Sequence, residues 1–316
     1  MVCGGTRVQF WNFLVIRLLQ AILVVWLVAT IVFMVSRIVG NPESFLSSGL
    51  DTTPEEIENI RERFGLNDSI GNQYLKFIGD IAQGDFGHSY AQAGDTTLHS
   101  IAERAPNTFK LGGAALLFAL SVSVPLGIVA AIRRGSMVDW VARFFAVFGQ
   151  AVPGFWLALM MIFFFSVKLG WFPTSGSAGI KSLILPAVAL GMLEMAAIMR
   201  LTRSGMIDVM DTDFIRTARA KGLSERVVIF RHAIRHALLP VVSLLGITMG
   251  RLIAGSVIVE LIFAWPGVGR LIIDSIRVSD YPMVQAAIIV LAASITLANL
   301  LVDLSYRLVD PRIRVT

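Results

Sequence analysis

Three sets of residues in this chain carry chemistry, and none has the make-up of a catalytic centre. Residues 213–223, DFIRTARAKGL, place Arg216, Arg219 and Lys221 beside two alanines and a glycine, between two strongly apolar stretches. Such a segment binds rather than reacts: its cations can meet carboxylates or phosphates, and its small residues allow close approach. The other two are single charges inside apolar runs, Glu194 in LGMLEMAAIM and Arg251 in GITMGRLIAGS. An isolated charge at the centre of a bilayer costs about 3 kcal/mol on insertion scales. Glu194 and Arg251 are therefore expected to face the protein interior or a watery cavity, near mid-depth of their spans. Two readings stay open for them: a structural ion pair, or groups that line a path and contact a charged end of a substrate.

Several chemistries are excluded. The single Cys3 rules out an intrachain disulfide, a CxxC redox pair and a cysteine zinc site. None of the four histidines lies in HExxH, so no metal site is expected. No GxxxxGK[ST] phosphate loop occurs, since neither Lys181 nor Lys221 completes one. The chain is not its own ATPase, and no cofactor bound by this chain is expected. The pI near 9.7 would suit nucleic acid, but the basic residues cluster beside apolar spans instead of forming a stripe with interleaved aromatics. No nucleic-acid partner is expected.

The elements that must position these residues are membrane helices. Of the 316 residues 55% are hydrophobic and 16% charged, well below the roughly 25% charged of soluble domains. Hydropathy places six spans near 17–38, 107–132, 141–168, 183–203, 237–262 and 284–308. The first has no convincing small-residue cleavage site after it and is expected to be a retained span. Arg133, Arg134 and Arg143 follow the second span, and Arg203, Arg216, Arg219, Lys221, Arg226, Arg231 and Arg235 follow the fourth. The positive-inside rule puts those loops, and with an even number of spans both termini, in the cytoplasm. Residues 40–105 hold 11 of the 22 acidic residues against four basic ones, and belong outside.

Within that outer segment, TPEEIENIRERFGL and NQYLKFIGDIAQGDFGHS read as two amphipathic helices, the second ending at Gly84, that form a small cap. Pro125, Pro153, Pro186 and Pro240 fall within or at the ends of spans and point to broken helices. Glu260 and Asp303 are expected near the membrane faces.

Asp211, Thr212 and Asp213 offer cap oxygens for a helix over FIRTARAK, Gly222 can take the left-handed position that ends it, and Ser224 can cap a following helix. Eight residues do not hold a helix alone in water, so this one must pack on something. Ala218 and Ala220 would allow a partner to come close. Positive-inside bias and attraction to anionic lipid explain the charge alone. A docking helix for a cytoplasmic partner explains charge, length, caps and small residues together.

The run DFIRTARAKGLSERVVIFRHAIRHALLP resembles the cytoplasmic signature of inner-membrane permease subunits of ABC importers, in the dipeptide/oligopeptide/nickel branch. The family pattern is Glu-Ala-Ala, three residues, Gly, then a distal Leu-Pro. Aligned on Gly222, the first three positions are Arg216, Thr217 and Ala218, and the Leu-Pro is Leu239-Pro240. The glutamate is absent, so any role it plays in the family does not carry over. ERFGLNDSIGNQYLKFIGDIAQGDFGHSY, RLTRSGM, ELIFAWPGVGRLIIDSIRVSDYP and NLLVDLSYRLVDPRIR resemble further segments of the branch, so the likeness covers almost the whole chain. Glu194 and Arg251 are not part of the family pattern.

The resemblance implies an all-α membrane protein with six transmembrane helices, of the type I ABC importer kind. Its parts would be a cytoplasmic N-terminus with the first span (1–39), a periplasmic cap (40–105), and a core transmembrane domain (106–308). That core would include a cytoplasmic coupling loop (204–236), and a cytoplasmic tail (309–316) would follow. It further implies a non-catalytic subunit of the bacterial inner membrane, forming half of a pathway for peptides or similar small solutes. Its partners would be a second homologous permease, two ATP-binding subunits that hold the ATP and Mg, a periplasmic or lipid-anchored substrate-binding protein, and membrane lipid. Asp213, Phe214, Ile215, Arg216, Thr217, Ala218, Arg219, Ala220, Lys221, Gly222 and Leu223 would form the coupling helix that rests on an ATPase. The main alternative is an ion- or proton-coupled secondary transporter, which would bury acidic relays and show inverted repeats. No convincing internal repeat is visible.

Overall fold

The computed structural model describes residues 5–38, 67–89, 91 and 96–309. Apart from turns and an isolated bridge between His88 and Thr96, the described residues are helical. The expected outer helix at 53–66 and residues 310–316 of the tail lie outside them, as does the Asp303 side chain.

The helices are α1 (Gly5–Ile38), α2 (Ile70–Ala82), α3 (Thr97–Ile132), α4 (Met137–Ala151) and α5 (Gly154–Met161, continued in π geometry over Ile162–Lys168). Then come α6 (Ile180–Met210), α7 (Asp213–Ala220), α8 (225–237, with a π-helical stretch Val228–Ala233), α9 (Leu239–Ile262), α10 (Val268–Arg277) and α11 (Tyr281–Val309). Among the described residues five helices are long and apolar enough to cross a membrane, and α4 with α5 pass the same test only together, as a sharply bent pair that is either one broken span or a re-entrant loop.

Within the span expected over 141–168 the helix breaks at Pro153, one of the prolines that pointed to a broken helix: α4 and α5 meet at 104° around Val152 and Pro153. The other prolines do not break their helices. Pro125 and Pro186 lie inside α3 and α6, and Pro240 sits in the first turn of α9, where its missing N–H has no intrahelical carbonyl to lose.

The chain divides into two compact units, Met1–Pro106 with Gly267–Leu300 and Asn107–Pro266 with Leu301–Thr316. In the first, α2 lies on α1. Phe33 is buried against the Tyr74 and Phe77 rings, 5.4 and 5.0 Å between centroids, and Thr30 and Tyr74 share a hydrogen bond of 2.7 Å. Ser69 caps α2 by accepting from the Asn72 N–H, and Gly84 takes a positive φ just beyond its end. A second cluster joins Ile101 to Val268 and Leu271 of α10 and Met283 and Ala286 of α11. Asp280, 2% exposed, caps α11: its carboxylate accepts from the N–H groups of Met283 and Ala91, at 3.3 Å each, and from the Ser89 hydroxyl.

In the second unit α6 is central, packing against α4, α5, α8 and α9. Its most apolar stretch is 61% buried, against 11% for α1, so α6 meets protein while α1 leaves residues such as Leu19 and Ile22 to the solvent, here lipid. The core is built from Leu111, Leu190, Leu252, Phe263 and Trp265. Trp265 is fully buried, and its indole N–H donates to the Asn107 carbonyl at 3.0 Å while the Asn107 amide donates to the Pro266 carbonyl at 3.0 Å. Trp265→Phe removes one of these two bonds and three ring atoms from the packed core. It should cost about 2 kcal/mol, from the lost bond and the cavity together, read as a drop in the thermal midpoint of the purified complex.

Candidate functional site

The basic segment between α6 and α8 forms a helix with a buried side and a bare side. Thr212 stands at the N-cap of α7, but its hydroxyl donates back to the Val209 carbonyl at 2.6 Å, and no side chain caps the helix. The expected cap from Asp211, Thr212 or Asp213 is therefore not made: the hydroxyl is used to finish α6. Asp213 stays in the first turn, paired with Arg216 at 3.3 Å, where a negative charge suits the positive end of the helix.

At the other end Gly222 has φ +76°, its N–H donates to the Arg219 carbonyl at 2.9 Å, and the Leu223 N–H donates to the Ala218 carbonyl at 3.4 Å. These two bonds form a Schellman stop. Ser224 occupies the N-cap position of α8 without a side-chain bond.

Ile215 is 0% and Ala218 7% exposed. They join Ile128 of α3, Met206 of α6 and Val228, Ile229, Ala233 and Ala237 of α8 in one apolar cluster. Ala218 thus seats α7 on its own chain and is not free to let a partner approach. The i, i+3 spacing of Ile215 and Ala218 makes the anchoring face.

The remaining residues, Asp213, Phe214, Arg216, Thr217, Arg219, Ala220, Lys221, Gly222 and Leu223, are all exposed. Phe214 leans on His236 with ring centroids 5.1 Å apart, and Arg219 Nε meets Glu225 Oε1 at 2.7 Å, bracing α7 against α8. Val227 and Phe230 of α8 extend the exposed surface with apolar groups.

The helices on which α7 is seated are themselves closely packed. A Cβ on Gly205 of α6 would sit 2.6 Å from the Ala237 carbonyl oxygen of α8, so the two backbones touch there. Two residues before Gly205 in α6, Arg203 reaches Asp139 of α4, 1% exposed, at 2.7 Å (Nε to Oδ1) and 2.9 Å (Nη2 to Oδ2). The Gly135 N–H and Arg143 Nη2 complete its shell at 3.0 and 3.3 Å. This fork ties α4 to the lower part of α6, and no sequence pattern pointed to it.

Glu194 and Arg251 do come together: Nη2 donates to Oε2 at 2.7 Å, joining α6 to α9. Glu260, in the last turn of α9, is fully buried, its Oε1 accepting from the Thr108 hydroxyl at 2.8 Å and the Ser256 hydroxyl at 3.0 Å. Among the described residues no group of three His, Cys, Asp or Glu converges to hold a metal.

Comparison with known proteins covers nearly the whole length. The family model described as binding-protein-dependent transport system inner membrane component matches residues 123–315, and the model of its N-terminal part matches residues 10–112. An oligopeptide transport system permease protein of Bacillus subtilis is 43% identical over 266 residues, covering 81% of this chain and 84% of that one. A di/tripeptide transport system permease protein of Pseudomonas aeruginosa is 37% identical, with 91% and 94% covered. A glutathione transport system permease protein of Escherichia coli K12 is 36% identical, with 96% and 99% covered. Among solved structures, the methionine ABC transporter MetNI in an inward-facing conformation aligns with a TM-score of 0.57 at 17% identity, over 67% of this chain and 96% of that one. That likeness concerns the fold.

Proposed function

The chain belongs to the binding-protein-dependent transport system inner membrane family, and from that premise we propose that α7 is the element through which ATP hydrolysis in a partner drives its helices. As a member of that family it is a non-catalytic, multi-pass permease subunit of an ABC importer of the inner membrane, working with ATPase and binding-protein partners. The observation that carries the finer reading is the two-sided burial of α7. Ile215 and Ala218 fix it to α3, α6 and α8, while Arg216, Lys221 and Leu223 stand bare beside it. Closure of two ATP-binding subunits would press on that bare face and rock the attached helices between inward- and outward-facing states.

In this reading the α7 side and both termini lie in the cytoplasm, and residues 40–105 form the periplasmic cap. A second homologous permease supplies the other half of the path. Substrates are peptides or peptide-like solutes handed over by the binding protein, in keeping with the oligopeptide, di/tripeptide and glutathione systems of the relatives. Photo-crosslinking tests the docking. Benzophenone side chains placed singly at Thr217, Lys221 and Leu223 should each capture an ATP-binding subunit in the assembled complex. The same probe at Ile22, on the exposed face of α1, should capture none. Absence of the crosslink at all three positions would overturn the assignment.

A further inference from the structure

Arg251 is the thirteenth of the 24 residues of α9. At 1.5 Å per residue it lies about 17 Å from either end of the helix, too deep for its side chain to reach a headgroup. Yet the side chain is 50% exposed, whereas that of its partner Glu194 is 10% exposed. It stands in the middle of an uncovered stripe of α9 made by Ser243, Ile247, Arg251, Ala254 and Ile258, at helical spacing. None of the other four carries a charge. A guanidinium half open at that depth, with hydrocarbon around it, is among the least favourable placements a side chain can have; water, a polar ligand or a polar group of the second permease must cover it.

The asymmetry of the pair says what kind of ligand. Glu194 engages one nitrogen, Nη2, and is itself screened from the open side. Nε and Nη1 of Arg251 meet no acceptor among the described residues. An ammonium arriving at this stripe finds no carboxylate within reach, while a carboxylate finds a charged, planar donor already held in place. Glu194 also offsets part of the attraction, which suits a pathway group that must let its ligand go.

We propose that Arg251 is a carboxylate-recognition point on the translocation path, contacting the free C-terminal carboxylate of the peptide in transit. This rests on the peptide-importer reading above. It assigns Glu194 a positioning role, holding the guanidinium toward the path.

The test uses the complete complex with its binding protein in proteoliposomes, and trialanine as the probe. Cys3 is replaced by serine throughout. Arg251→Cys is introduced together with Glu194→Gln, so that no unpaired carboxylate is left buried. Assembly is read by co-purification of the ATP-binding subunits. Trialanine import should fall by about tenfold, the range of one lost charge-assisted hydrogen bond. Import of trialanine amide, taken as the ratio of variant to parent so that delivery cancels, should change by less than about twofold on the same basis.

Aminoethyl methanethiosulfonate, which restores a cation at position 251, should recover trialanine import, and the neutral methyl reagent should not. Equal loss for both peptides, no loss, or a cysteine that neither reagent labels would each overturn the proposal. If the parent complex imports neither peptide, the peptide reading fails first and the carboxylate site falls with it. That outcome is distinct from loss of selectivity in a working importer.

Discussion

Gly222→Pro should reduce ATP-driven uptake by two orders of magnitude or more, on the order of 100-fold, while the chain still inserts and ATP hydrolysis continues uncoupled. Proline holds φ near −65°, and position 222 sits at φ +76°. Proline also lacks the N–H that Gly222 donates to the Arg219 carbonyl. The stop of α7 and the turn into α8 are lost together, and with them the direction in which the bare face is presented. Gly222→Ala separates backbone from contact. Its Cβ would meet nothing within 4 Å, so it carries only the left-handed penalty of about 1–2 kcal/mol and should keep most of the uptake. Uptake into vesicles measured beside ATP hydrolysis checks both variants. A Gly222→Pro complex that transports normally would remove α7 from the coupling path.

Ala218→Trp is the less informative change. Position 218 is buried in the cluster with Val228, Ile229 and Ala233, so an indole there unseats α7 from its own chain before any partner is met. Lost transport in that variant would report on anchoring. The exposed Lys221, by contrast, reports on contact, because nothing in the chain's own packing depends on it.

How far the site was legible follows from where each signal lies. The helix over 213–220 and its glycine stop are written locally: a first-turn acid, an eight-residue run and a glycine one residue past the C-cap. The buried face was also present, as Ile215 and Ala218 three apart, but residue size suggested close approach to a partner when helical spacing pointed inward. The similar depths of Glu194 and Arg251 left a pair and a substrate path both open, and only the packing of α6 on α9 shows the contact. The burial of Glu260 could not be read from its depth, because it rests on the hydroxyl of Thr108, 152 positions away in sequence.

Asp139 and Asp280 escaped for the same reason. Their partners Arg203 and Ser89 lie 64 and 191 positions away, and nothing in SMVDWVARFF or RVSDYP marks those acids as buried. Proline positions were visible, but not which of them breaks its helix. A helix can close around Pro125 or Pro186 when its neighbours hold it, and only at Pro153 does the backbone leave helical geometry on the preceding side, with Val152 extended at ψ 127°.

Asp139→Ala is expected to be the most damaging single change to stability outside the apolar core, about 3–5 kcal/mol. The carboxylate accepts four donors while 1% exposed, and its removal strands the Arg203 guanidinium, whose own side chain is 21% exposed. Arg143, at 43% exposure, can turn to solvent and adds little to the loss. The measurable consequence is a large fall in the thermal midpoint of the purified complex.

Most of that penalty belongs to the orphaned cation rather than to the missing attraction. Arg203→Met in the Asp139→Ala background should therefore recover the greater part of it, leaving a deficit of about 1 kcal/mol from the unsatisfied Gly135 N–H. If the double variant is no more stable than Asp139→Ala, the fork is not what holds α4 to α6. A restored midpoint with transport still impaired would show something further. The fork would then be carrying motion from the base of α6, where α7 is seated, into α4, and an apolar contact that replaces its stability would not replace its directionality.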